Sequence, residues 1–266
     1  MKKFILNLRL FWEGALLSYI ALFHWLRPAQ YLATMIWGPL ASMLFFVFLG
    51  TYATGSDSAS FYVIGNALQT IALSGIFGVT MSIGGDRWSG TLPYLFGAPA
   101  NRFMMFTGRA LMHLLNGVLG AIIGLTWGVL LFGLDLGRAN PLALTLIILV
   151  ATFSTSGMGL LMGCLSLITR NVMFVNNTVF FLLLVFSGAN IELSRMPAWG
   201  QAISQVLPLT RSIASARRVI AGGSLSSVVP LLLVEFMIGM SYLLAGYLLF
   251  RWFEFQAKRR DTLEAM

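Results

Sequence analysis

The chain predicts an all-α integral membrane protein with six transmembrane helices, and three observations carry that prediction. The first is composition. Of its 266 residues 58% are hydrophobic and only 10% charged, with a mean hydropathy of +0.84. Soluble domains carry roughly 25% charged residues, so this chain lacks the polar surface to face water on all sides. The second is the length of its charge-free stretches, Pro28–Ser56, Ser58–Gly85, Ala110–Leu134, Ala139–Thr169 and Asn171–Ile191. A last stretch, Val219–Phe250, is broken once, by Glu235. A spanning helix needs roughly 20 apolar residues, and each stretch meets that. The third is where the basic residues fall. With the N-terminus in the cytoplasm, Lys2, Lys3, Arg9, Arg27, Arg87, Arg102, Arg109, Arg170, Arg251, Lys258, Arg259 and Arg260 lie inside. Arg138, Arg195, Arg211, Arg217 and Arg218 lie outside, an asymmetry in the sense of the positive-inside rule. The net charge of +8 is therefore topological and argues against a nucleic-acid partner. Both termini are expected in the cytoplasm of a multi-pass cell-membrane protein.

Residues 1–27 are expected to form an amphipathic helix lying in the membrane interface, in contact with membrane lipids. Phe4, Leu8, Phe11, Trp12 and Ala15 share one face, with Lys2, Arg9 and Glu13 opposite. The alternative is a simple extension of the first span. Asn7, Arg9 and Glu13 break what would be the apolar core of a signal peptide. Residues 28–252 are expected to hold the spans, at about 31–52, 60–84, 103–133, 142–168, 172–187 and 228–250. Ser154, Ser156, Gly157, Gly159 and Gly163 in the fourth let helix backbones approach closely. Residues 190–226 are too polar to cross and too apolar for a free loop. They read as one or two short helices dipping into the outer leaflet, where irregular backbone needs cover. Residues 253–266 read as a basic cytoplasmic tail.

Catalytic chemistry has little support. No lysine follows a glycine-rich turn as a phosphate-binding loop requires. His24 and His113 lack partners at metal-ligand spacing and read as core or interfacial residues. Cys164 is the only cysteine, which leaves no disulfide framework, and it is expected to pack as a small apolar residue.

The informative segment is Gly85–Pro99. Trp88, Leu92, Leu95 and Phe96 fall at i, i+4, i+7 and i+8, one face of a helix, with Ser89 or Thr91 available to cap its start. An apolar knob held off the membrane suits a groove on a soluble partner, and an interfacial loop with aromatic anchors is the rival reading. Inside the spans Glu235 stands out. It reads either as a substrate or gating contact or as a structural carboxylate bonded to polar neighbours or to Arg217. Asn176 and Asn177 read as helix–helix hydrogen-bond formers or ligand contacts. Arg211, Arg217 and Arg218 would either attract anionic groups near an exit or snorkel to head groups.

Asp86-Arg87-Trp88-Ser89-Gly90-Thr91-Leu92, followed by Pro99, resembles the E-R-x-x-G-T-L…P signature of ABC-2-type exporter permeases. Met196-Pro197-Ala198-Trp199, then Leu207-Pro208-Leu209-Thr210 and Ala216-Arg217, resembles the outer region between that family's last two spans. Asp86 stands where the family usually has Glu, and Pro93 where an acidic residue is common. The resemblance implies a coupling helix at 86–97 that docks on a separate ATPase, through Asp86, Arg87, Trp88, Gly90, Thr91, Leu92, Leu95 and Phe96. It implies two ATPase subunits binding ATP and Mg, a second permease chain, and an amphipathic substrate for which Glu235, Asn176, Asn177 and Arg217 are pathway or gate candidates. No cofactor is expected in the chain itself. A polysaccharide or teichoic-acid exporter permease of the same fold is the runner-up, ahead of a membrane enzyme, an assembly factor or a secondary transporter.

Overall fold

The computed structural model describes residues 2–25, 27–55, 58–88, 90–91, 94, 101–167 and 171–260, and the regular elements among them are helical. They are α1 (Lys2–Trp25), α2 (Pro28–Thr54) and α3 (Ala59–Ala72), which runs through a π-helical turn (Leu73–Gly78) into α4 (Val79–Trp88). After them come α5 (Arg102–Phe132), α6 (Pro141–Ser166) and α7 (Val172–Phe186). A 3₁₀ turn (Leu193–Arg195), α8 (Ala198–Val206), α9 (Thr210–Ile220) and α10 (Leu225–Arg260) complete the order. Three of these helices start on an asparagine. Asn101 accepts from the Met104 N–H at 3.4 Å, Asn140 from Leu142 and Ala143 at 3.0 and 3.2 Å, and Asn171 from Phe174 at 3.0 Å. Each satisfies donors that a helix start leaves open.

Among the described residues five helical rods are long and apolar enough to cross a membrane: Ala29–Thr54, Ala59–Asp86, Phe103–Phe132, Pro141–Ser166 and Leu225–Gln256. The remaining expected span, fifth in chain order, is the 15-residue α7. At 1.5 Å per residue it covers about 22 Å, short of a hydrocarbon core of about 30 Å. The chain then turns back through Ser187–Ile191 with its first three residues buried. The Ser187 hydroxyl donates to Gln69 Oε1 at 3.3 Å, and the Asn66 amide donates to Asn190 Oδ1 at 2.8 Å. Irregular backbone at this depth is covered by α3, as the absence of water requires. Residues 190–226 resolve into the 3₁₀ turn, α8, α9 and the start of α10, in line with the short helices expected there.

α6 is the hub, packing on α3, α4, α5, α9 and α10. Its contact with α10 is backbone on backbone. A Cβ at Gly157 would lie 2.5 Å from the Gly239 carbonyl oxygen, and one at Gly239 would lie 2.7 Å from the Ser154 Cα. Such crossings gain from dispersion and not from expelling water, so small residues favour them. Cys164 is buried with Phe106, Leu160 and Phe250 in a cluster joining α4, α5, α6 and α10.

α1 meets the bundle through its small residues. Gly14 and Ala15 are buried, and Asn7, Leu10, Phe11 and Ser18 are half-buried, on the side that packs along α5. A Cβ at Gly14 would lie 2.7 Å from the Met105 carbonyl oxygen. Leu8 and Trp12, assigned to the same stripe as Phe11 and Ala15, are 50% and 59% exposed. Bulky apolar side chains lose nothing facing hydrocarbon, whereas small ones let two helices touch, so the packing face is the small one. The side chain of Phe4 is outside the described residues. The segment expected as a tail begins as helix: α10 continues unbroken from the last span through Arg260, and residues 261–266 lie outside the described residues.

Candidate functional site

The segment that carries the docking expectation begins with a helix stop. Gly90 has φ +69°, the left-handed conformation that glycine adopts without a Cβ clash, and the Thr91 N–H donates to the Asp86 carbonyl at 2.9 Å. This six-to-one bond closes α4 in a Schellman turn. The side chains add a clasp. The Asp86 carboxylate accepts from Arg109 Nη1 at 2.5 Å and from the Thr91 hydroxyl at 3.1 Å, and the same Arg109 nitrogen donates to the Ser82 carbonyl at 3.1 Å. Asp86 is buried. Asp86, Gly90 and Thr91 therefore lock the end of the α3–α4 rod onto α5, with the Thr91 hydroxyl reaching back to Asp86. Leu92, Leu95 and Phe96 lie outside the described residues, as do the side chains of Arg87 and Trp88.

A second polar centre lies at the start of α9. Glu235, in α10, is fully buried. Its Oε1 accepts from the Ser154 hydroxyl of α6 at 2.6 Å and from the Leu209 N–H at 2.5 Å, and its Oε2 accepts from the Arg211 N–H at 3.1 Å. The carboxylate thus caps α9 and meets the positive end of its dipole. Leu209, at φ +78°, turns both amides toward it. That left-handed leucine costs roughly 1–2 kcal/mol, offset by a side chain buried in the core and by the bonds to Glu235. The partners of Glu235 are backbone amides and Ser154; Arg217 is not among them.

Arg217 sits in the last turn of α9 and faces inward. Its Nη2 donates to the Phe61 and Ala189 carbonyls at 3.0 and 3.1 Å, and its guanidinium stacks 3.5 Å from the Phe61 ring centroid. Burial lowers its pKa from the usual value to about 10, leaving it charged at neutral pH. It ties α9 to the start of α3 and to the turn after α7, which differs from both readings made for it, attraction of anions at an exit and snorkelling to head groups. Arg211 donates to the Gln205 carbonyl and side chain at 2.9 and 2.6 Å, and Arg218 is exposed.

Asn176 is fully buried with neither amide atom partnered among the described residues, and its neighbour Asn177 is exposed. The four intramembrane candidates are not brought together. Glu235 and Arg217 hold the two ends of α9, and the asparagines lie on α7. Arg109 is the residue that sequence reasoning missed. The signal was present: Asp86 and Arg109 are opposite charges at the adjoining ends of consecutive antiparallel spans.

No curated protein matches the chain. The ABC-2 type transporter family model matches residues 14–221, so the chain belongs to the ABC-2 type transporter family, and its helical multi-pass fold agrees with that membership.

Proposed function

We propose that the chain is the permease subunit of an ATP-driven exporter that moves an amphipathic substrate, a drug, antibiotic or lipid-like molecule, out of the cell. Two permease chains, identical or paralogous, surround one pathway in the cell membrane with both termini cytoplasmic. Two ATPase subunits, which bind ATP and Mg, dock beneath on residues 86–97. The observation that carries this reading is the clasp of Asp86, Thr91 and Arg109. A segment pushed by a moving partner transmits force only if its root is rigid, and this root is fastened to both helices of a hairpin. Displacement at residues 86–97 then tilts α4 and α5 together, and α6 with them through its packing on both.

The test is co-purification. Trp88→Asp and Leu92→Asp place a charge in the expected apolar knob. Each should abolish recovery of the ATPase and transport while the permease stays in the membrane at normal level. Full ATPase association and transport in both variants would overturn the docking role.

A further inference from the structure

A cavity of about 420 Å³ lies between α2, the π-helical turn and α5. A second, of about 300 Å³, meets it at Gly78 and His113 and reaches α1 at Ser18. Tyr31, Thr34, Thr70, Ser74, His113 and Asn116 supply the polar part of the larger wall. None of the residues lining either cavity is Asp, Glu, Lys or Arg. Both cavities lie along spans, so their polar groups sit where water is scarce.

Some of that polarity is already used. The Tyr31 hydroxyl donates to Asn116 Oδ1, and the Thr34 and Thr70 hydroxyls donate to the Tyr31 and Ala67 carbonyls at 2.8 and 2.7 Å. The rest is open. The His113 ring and the Ser74 hydroxyl have no hydrogen-bond partner among the described residues, and the Asn116 amide keeps its NH₂. Backbone geometry builds the space. The π-helical turn brings Leu73, Ser74 and Gly78 to the wall, and a Cβ at Gly78 would collide with His113 Nδ1. A π-turn is rare in helices and recurs at functional sites.

We infer that this cavity binds an uncharged amphipathic molecule whose polar end carries hydroxyl or carbonyl groups. A mostly apolar chamber of this size with a few convergent polar groups is the usual form of a small-molecule site. Ser74, His113 and the Asn116 amide offer both donors and acceptors to such a head. An ionic head would enter a low-dielectric chamber with no fixed countercharge, which is costly. The site stands on this geometry alone; its service as a station on an export route rests on the exporter reading.

The experiment uses the full chain in lipid nanodiscs and a photoactivatable monoacylglycerol, with cross-links mapped by peptide mass spectrometry. Its anionic counterpart is a lysophosphatidic acid with the same acyl chain. The neutral probe should label segments 31–39, 70–78 and 113–120 about tenfold more than the anionic one, and excess unlabelled monoacylglycerol should suppress the label. Ser74→Phe, which fills the chamber, and His113→Leu, which keeps its volume but removes the hydrogen bonds, should each lower labelling about tenfold at unchanged melting temperature. Equal labelling by both probes, stronger labelling by the anion, or no competition in the wild-type chain would overturn the proposal without any variant. Repeating the wild-type measurement with the ATPase and ATP separates two sources of ligand. A signal that falls on turnover marks cargo and one that persists marks resident lipid, and either retains the site. Failure to find an ATPase partner leaves the nanodisc result standing.

Discussion

A carboxylate in a membrane-spanning helix costs roughly 2.5–3.5 kcal/mol even on the milder insertion scales, unless donors replace its water shell. Glu235 has three such donors, from Ser154, Leu209 and Arg211. This geometry fixes what a substitution does. Glutamine offers one acceptor oxygen and one NH₂, so its NH₂ must face at least one of the donors that the carboxylate accepts. Glu235→Gln should cost about 1–3 kcal/mol, the penalty for one buried unsatisfied group. Glu235→Leu should cost more, since it strands two backbone amides at the start of α9. Thermal unfolding in detergent measures both, and transport per folded molecule should stay near normal in Glu235→Gln. Unchanged melting with lost transport would instead make Glu235 a gating group. Arg217 allows a parallel test. Its planar fork spans two carbonyls and stacks on Phe61, which a lysine ammonium cannot reproduce, so Arg217→Lys should lower the melting temperature even though it keeps the charge. Glu235 stood out in the sequence as a charge in an apolar run, and Arg217 as an outer arginine against the positive-inside trend. Their partners did not, because a backbone amide leaves no mark in a sequence.

At the scale of elements, the stop after α4 shows which part of a motif is local. The spacing from Asp86 to Gly90 and Thr91 is a helix terminator, and it can be read from sequence because its bonds join neighbours. Gly90→Ala should cost about 1 kcal/mol for forcing a Cβ into the left-handed region, read as a lower melting temperature. The ion pair with Arg109 is different. It depends on how two antiparallel rods rotate about their axes, which charge-free runs leave open. Its side chains are only 17% and 11% exposed, so solvent screens it little. A double-mutant cycle with Asp86→Asn and Arg109→Gln should return a coupling of about 0.5–3 kcal/mol in thermal stability, the range for residues in one network. Coupling near zero would mean that the clasp does not hold the hairpin. The same limit explains α1. Its apolar periodicity located a helix, but in lipid periodicity does not say which face meets protein, and the small face of Gly14 and Ala15 won.

For the whole molecule, five of the six expected spans and the helix order were legible because hydrocarbon thickness imposes length, and the shortness of α7 was not, since its end is set by bonds with Asn66 and Gln69 on a distant rod. Orientation follows from charge, and the structure sharpens that argument. The two ends of the bundle are distinct. At one end Arg109 meets Asp86, and Phe103 packs on Tyr247 and Phe250; at the other Arg217 binds Phe61 and Ala189. Five arginines at the second end run against the positive-inside trend. Arg217 is turned into the protein, Arg211 is bonded to Gln205, and Arg195 pairs with Glu192 at 3.2 Å, so three of the five are held by internal partners. With twelve basic residues at the Asp86 end against five at the other, the positive-inside rule predicts a cytoplasmic Asp86 end. Cysteines placed at Ser58, Ala139 and Ser194, in a background with the buried Cys164 replaced by Ala, should react with an impermeant maleimide in intact cells, and cysteines at Ser89 and Thr262 should react only after lysis. The reverse pattern would turn the molecule over. It would put residues 86–97 outside the cell, beyond the reach of ATP, and remove the basis for an ATPase docking there.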